Sequence, residues 1–282
     1  MNSKKLSSHI NKIGIGNIVW TTDLDGTLLD FQDDPESVTA GSELIQDLRN
    51  ISKLTGGNLF IITGRNMDFV DRIFFPIQMN ISAEHHCHVR GFGKNDVTKP
   101  DWSIIQADLA AVAKIDPAAW VEKTKPFSRT IHFRNVNEEN KNEIKTCLTQ
   151  LAIDAVGVYN GQVGKEILGI KFGADAIEVG LKDKDKGIAI DDIMAIEGNT
   201  RKIPVFWGDS KADLPAALRV KFYGGIVVAV GPDEEMKKIA DFHFPTPENA
   251  RAELAEISAQ YNDKNFIRDT VLDVALRNAA PN

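Results

Sequence analysis

Short apolar runs alternate along this chain with longer stretches in which apolar side chains return every three or four positions. Ile18–Thr22, Asn58–Thr63, Ile203–Trp207 and Gly225–Val230 are near-continuous apolar runs, the pattern of strands buried on both faces. Leu44, Ile45, Leu48 and Ile51 repeat at helical spacing and predict a helix over Ser42–Leu54, ended by Gly56-Gly57. Further helices are predicted over Met67–Phe74, stopping before Pro76, and over Ile188–Met194, opened by Lys186-Gly187. Strands that alternate with helices predict an α/β fold with a parallel sheet.

Between about residues 88 and 181 the pattern changes. Trp120–Glu122 and Arg129–Arg134 alternate polar and apolar positions as half-buried strands do, and Glu138–Leu151 has a helical pattern. Two more short strands are predicted near Val156–Tyr159 and Ile167–Phe172. The expected organisation is a core domain formed by residues 1–87 and 182–282, interrupted by an antiparallel α+β unit over 88–181. Residues 1–9 read as a lead-in or a helical turn. Phe266–Leu276 has helical spacing and is expected to pack on the core.

Composition adds limits. The chain has 282 residues, 43% hydrophobic and 26% charged, enough for one large or two ordinary globular domains. Its formal net charge of -7 argues against general nucleic-acid binding. No apolar stretch approaches the roughly 18–20 residues that span a bilayer, and the start lacks the apolar core of a secretory signal. Cys87 and Cys147 are too few and too far apart for a disulfide framework, so a cytoplasmic location is expected. A monomer or weak homodimer is expected, without nucleic-acid or membrane partners.

The first predicted strand ends in Asp23-Leu-Asp25-Gly26-Thr. Residues i and i+2 of a strand project to one side, so the two carboxylates crowd together and call for a cation or a shared proton. A hard cation completed by substrate phosphate, Mg2+ above all, suits such a site. A solvated Asp-x-Asp-Gly turn is the bland alternative. The second strand ends in Thr63-Gly64-Arg65, where a hydroxyl and free N–H groups could hold phosphate oxygens, or Thr63 could cap the next helix. Lys186 opens a helix where the dipole disfavours cations, which makes sense if an anion lies between them. Gly208-Asp209-Ser210-x-x-Asp213 ends a third strand with acids. Ligands of open α/β sheets gather at such ends. His85, His86 and His88 lack further ligands for a zinc site, and Trp20 and Trp207 read as packing.

In this order, Asp23-x-Asp25-Gly-Thr, Thr63, Lys186-Gly and Gly208-Asp-Ser-x-x-Asp213 resemble the four motifs of the haloacid dehalogenase superfamily of phosphatases. The resemblance implies a Rossmann-like parallel-sheet core with an inserted α/β cap domain. Within it, Ala83-Glu-His85, Glu122-x-x-Lys125, Thr130-Ile-His132-Phe-Arg134, Gly164-Lys-Glu and Glu178 are similar to the trehalose-6-phosphate phosphatases. The chain departs from that family at Ser210, at Leu214 and at His86, where an acid, an acid and a glycine are usual.

The resemblance implies hydrolysis of a sugar phosphate, trehalose 6-phosphate first, through an aspartyl phosphate. Asp23 is then the nucleophile and Asp25 the acid and base. Mg2+ is held by Asp23, the Asp25 carbonyl and Asp209, with Asp213 in support, and Thr63 and Lys186 clamp phosphate oxygens. Gly26, Gly64, Arg65, His85, Lys125, His132, Arg134 and Glu178 are expected to bind substrate. Sucrose phosphate or a glycosyl-phosphoglycerate are alternative substrates. A non-catalytic phosphosugar sensor and a sugar phosphomutase are the readings from other classes.

Overall fold

A computed structural model of the protein describes residues 5–259 apart from 33, 76, 78 and 174. The chain begins with α1 (Leu6–Ile13), β1 (Ile18–Thr22), α2 (Ser42–Leu54), β2 (Leu59–Ile62), α3 (Met67–Phe74), β3 (Asn80–Ala83) and β4 (His88–Arg90). Then come α4 (Gln106–Leu109), α5 (Val112–Ile115), β5 (Trp120–Glu122), β6 (Ser128–His132), α6 (Lys141–Val163), β7 (Leu168–Gly173) and β8 (Ala176–Leu181). It returns through α7 (Lys186–Met194), β9 (Ile203–Gly208), α8 (Leu214–Phe222), β10 (Ile226–Val230), α9 (Glu234–Ile239) and β11 (Phe242–Phe244). Residues 247–259 are helical, and the expected helix over Phe266–Leu276 lies outside the described residues.

Seven strands form the first sheet in the order β11-β10-β9-β1-β2-β3-β4, all parallel except β4. Alternate residues of its strands feed two cores. Trp20, Ile61 and Val228 pack with α1, α2, α3 and the helix over 247–259; Val19, Phe60, Ile62 and Val227 pack with α7, α8 and α9. Trp20 and Trp207 are fully buried and lie 5.3 Å apart between ring centroids. Both sheet faces are thus covered by helices, which explains the continuous apolar runs of the central strands.

The second sheet has the order β5-β6-β8-β7 and is antiparallel throughout. One face packs on α6 and the short helices α4 and α5 through Ile131, Ile177, Val179, Leu148 and Ala152. The opposite face carries Glu122, Thr130, Glu178 and Lys171 in one row, because Glu122 pairs with Thr130, Thr130 with Glu178, and Glu178 with Lys171.

Three expectations change. Val156–Tyr159 is not a strand but part of α6, whose buried Leu148, Ala152, Ala155 and Tyr159 continue one helical stripe until Gly164 ends it in a left-handed conformation. The first sheet also takes in β4, so it extends beyond residue 88, where the insertion was expected to begin. β3, β8 and β11 were not foreseen. Residues 6–13 form a full helix rather than a single turn. No helix among the described residues is long and apolar enough to cross a membrane.

Candidate active site

Asp23, Thr63 and Asp209 stand just beyond the C-terminal ends of β1, β2 and β9, which are neighbours in the sheet. The backbone N–H of Asp23 donates to the Trp207 carbonyl at 2.9 Å, and that of Thr63 to the Ser82 carbonyl at 2.9 Å. Each position is therefore set by sheet hydrogen bonds on the adjacent strand. Asp23 and Thr63 are buried, yet both line a cavity between the two sheets.

The carboxylates of Asp23, Asp209 and Asp213 offer oxygens within 4.8 Å of one another. Lys186, almost fully buried at 3% exposure, places its ammonium 2.7 Å from both Asp23 Oδ1 and Asp213 Oδ1. Asp213 Oδ2 accepts from the N–H groups of Asp209 and Ser210 at 3.0 and 3.1 Å. Both Asp213 oxygens are thus engaged, and the residue braces the loop while facing the other acids. Burial, with Asp213 and Asp23 adding repulsion, pushes the Asp209 carboxyl far up. Burial also pushes Asp23 up, though Lys186 opposes it. Lys186 is pushed up because its two carboxylates outweigh its own burial.

Three acids against one ammonium cannot all ionise in a nearly dry site without a further positive charge, which is why Asp209 and Asp23 are pushed up. Oxygen donors, this spacing and this charge fit one divalent hard cation such as Mg2+. Gly26 has a φ of 76°, and a Cβ there would lie 2.3 Å from Asp209 Oδ2. Only glycine lets the turn after β1 come this close to the acids.

Three expectations for single residues are altered. Asp25 does not join the acid cluster; its side chain is gripped by Arg65, whose Nε and Nη2 donate to Oδ2 and Oδ1 at 2.8 and 2.7 Å. No external anion is needed at the start of α7, because Asp185 caps its N–H groups and the Lys186 ammonium turns to Asp23 and Asp213. Thr63 is not the cap of α3; Asn66 is, accepting from Phe69 N–H at 2.8 Å. The Thr63 hydroxyl accepts instead from Arg65 N–H at 3.1 Å.

The second sheet covers the cavity with its polar row. Lys125 donates to Glu178 Oε2 and to Thr130 Oγ1, both at 3.1 Å. His85 Nε2 lies 3.2 Å from Glu178 Oε1 and close to Gly64, where a Cβ would meet its ring at 3.2 Å. Burial would raise the Glu178 carboxyl, but Lys125 and His85 hold it well below its usual range. His132 bonds Glu122 at 3.1 Å and stacks on Trp120 with ring centroids 4.3 Å apart. Burial opposes the ionised Glu122, yet His132 and Lys125 hold it down at about 2. Arg134 reaches back to the first domain and donates to the Gln32 carbonyl.

All the expected residues except Gly26 and Asp213 line this cavity, and those two contact residues that do. Glu122, Thr130 and Lys171 line it as well and were not singled out as site residues. The signal was available: each is the polar member of a strand alternation, on the face opposite Val121, Ile131 and Ile170.

A segment of strained backbone leads from β3 toward the insertion. Glu84, His85 and His86 all have positive φ, at 46°, 54° and 75°, a conformation that costs non-glycine residues free energy and persists only where surroundings over-determine it. The surroundings do so here. Glu84 Oε2 accepts from Phe127 N–H at 2.9 Å, His85 meets Glu178, and His86 lies 3.0 Å from both Ser82 Oγ and Asp192 Oδ2.

Comparison with known proteins agrees with this geometry. A probable trehalose-phosphate phosphatase of Sinorhizobium fredii is 25% identical over 213 residues, covering 74% of this chain and 76% of its own. The trehalose-6-phosphate phosphatase of Escherichia coli is 24% identical over 216 residues, covering 75% and 77%. Among solved structures, the C-terminal domain of the C. albicans trehalose-6-phosphate phosphatase superimposes with a TM-score of 0.72 at 19% identity, over 92% of this chain and 99% of that one. A haloacid dehalogenase-like hydrolase from Bacteroides thetaiotaomicron shares the fold at a TM-score of 0.57 and 14% identity, over 85% and 98%. The trehalose-phosphatase family model matches residues 21–216, from the end of β1 through the whole insertion to the acids after β9. By that match the chain belongs to the trehalose-phosphatase family, a family of phosphomonoester hydrolases.

Proposed function

We propose that this enzyme hydrolyses trehalose 6-phosphate to trehalose and phosphate, with Mg2+ and through a phosphorylated Asp23. The observation that carries the reading is the placement of a buried, lysine-paired Asp23 at the floor of a cavity roofed by a polar sheet face. The relatives bearing the trehalose 6-phosphate name support the substrate.

Asp23 Oδ attacks phosphorus, its new bond forming as the bond from phosphorus to the sugar oxygen breaks. Asp25 gives its proton to the departing oxygen and later takes one from the water that attacks the phosphorylated Asp23. That second step returns the Asp23 carboxylate and releases phosphate. Arg65 holds Asp25 in orientation, and the Thr63 hydroxyl and Lys186 face the phosphoryl oxygens. Asp23 and Asp209, with the Asp25 carbonyl, would hold Mg2+, which supplies positive charge against the phosphoryl oxygens when bound. Lys125, Glu178, His132 and Arg134 meet sugar hydroxyls, and the roofing sheet keeps bulk water from the ester.

One chain supplies every side chain named, and the partner proposed is a small sugar phosphate. The test is phosphate release from a panel of sugar phosphates, with Mg2+ and with a chelator. Chelator-sensitive release chiefly from trehalose 6-phosphate is expected. Equal release from many esters would remove the substrate, and tight binding without turnover would replace the enzyme with a sensor.

A further inference from the structure

The cavity has two unlike walls. The roof is the polar row of the second sheet, with Phe172 of β7 at its margin, whereas the loop after Asp25 contributes Phe31 from the side of the acid cluster. This ring belongs to neither packed core of the first domain and is 51% exposed. An aromatic side chain left half in water at the rim of a cavity stabilises the fold less than a buried one would, because the stabilisation scales with the area removed from water.

Its position is nevertheless held. The Arg134 guanidinium, two residues beyond β6, lies 5.8 Å from the ring centroid and donates to the carbonyl of the residue after Phe31, Gln32. On the other side the ring edge crowds the Gly26 turn, where a Cβ would lie 2.8 Å from Phe31 Cε2 and 2.3 Å from Asp209 Oδ2. Phe31 therefore sits between the acid cluster and the roof, with surface open to the cavity.

A pyranose ring has hydroxyls at its edge and C–H groups on its faces. Lys125, Glu178 and His132 suit the hydroxyls; only an apolar surface suits the C–H face. We propose that Phe31 is a specificity-determining residue, the apolar wall against which the sugar ring of the ester packs, opposite the polar roof. This rests on the sugar-phosphate reading above. Its consequence is selection of cyclic sugar phosphates over acyclic phosphate esters, which cannot present a ring face.

The experiment compares kcat/KM for trehalose 6-phosphate and for glycerol 1-phosphate in wild type, Phe31→Ala and Phe31→Tyr. The ratio of the two values is the readout, because general damage to the site lowers both and cancels. Wild type should favour the sugar ester. Phe31→Ala should lower the ratio about tenfold, chiefly through KM of the sugar ester, as expected for loss of one aromatic contact. Phe31→Tyr should keep it. An unchanged ratio in Phe31→Ala, or equal losses in both variants, overturns the proposal. A wild type with no preference overturns the sugar-phosphate reading itself, and is seen before any variant is made.

Discussion

Arg65 holds Asp25 through two parallel N–H···O bonds, of 2.8 and 2.7 Å, so the carboxyl proposed to move the proton has one fixed orientation. A planar fork is needed for this, and a lysine cannot supply it. Arg65→Lys should therefore lower kcat on the order of 10- to 100-fold, the cost of a misplaced reacting group, with KM little changed. Steady-state kinetics on trehalose 6-phosphate decides; a kcat equal to wild type would remove the orienting role.

Asp23→Asn keeps the shape of the side chain and removes its nucleophilic charge. Turnover should fall by at least about a thousandfold, as for other lost nucleophiles. Because burial disfavours an ionised Asp23 and Asp213 adds repulsion, the melting temperature in chelator should stay level or rise. Substantial phosphate release by a folded Asn variant would dismiss the covalent route.

Asp23, Asp209 and Asp213 offer oxygens within 4.8 Å of one another against a single ammonium, which predicts that Mg2+ stabilises the fold. At a hundred times its dissociation constant the gain should be about 2.7 kcal/mol. Asp209→Asn should abolish this response. Lys186→Met removes the ammonium between Asp23 and Asp213 and should cost about 3–5 kcal/mol in chelator, typical of a broken buried ion pair. Urea unfolding with and without Mg2+ measures all three. A wild type indifferent to the ion would speak against a metal site here.

Glu84 predicts a pH dependence of stability. Burial, opposed by Phe127 N–H and Lys125, pushes its carboxyl from 4.5 up to about 7. The folded state then holds the proton more tightly than the unfolded chain. Its stabilising contribution is complete below about pH 4.5 and is lost as pH rises through about 7. The slope in that window is at most about 1.4 kcal/mol per pH unit. Glu84→Gln keeps an acceptor for Phe127 and should flatten the fall between pH 5 and 8. Parallel curves for the two proteins would rule the effect out.

What was legible in the sequence follows from how each element is stabilised. β1, β2, β9 and β10 are buried on both faces and announce themselves as apolar runs, and the acids just beyond β1 and β9 are visible as interruptions of them. β8 escaped because Glu178 and Gly180 break its apolar pattern, for reasons that only its neighbours explain. Val156–Tyr159 misled because Val and Tyr favour strands, whereas packing of Ala152, Ala155 and Tyr159 on the second sheet decided for helix. The acids that come together at the cavity, Asp23 and Asp209, were visible at strand ends without knowing the fold. The polar row as a whole was not, since Glu122, Thr130 and Lys171 join the expected Glu178 only through the register of four strands.

The place of β1 in the first sheet also bears on how the molecule assembles. Its neighbours are β2, close in sequence, and β9, reached only after the whole insertion, with Ile18 opposite Ile203. A nascent chain that stops short of β9 leaves β1 as a sheet edge, with Asp23 at its end lacking the Trp207 carbonyl and the acids that follow. Such pairing between distant segments is slow to form. The strand that closes the middle of the sheet is the one that delivers Asp209 and Asp213. Completion of the fold and acquisition of chemical competence are therefore a single late event, and no partly built form of this chain carries a finished site.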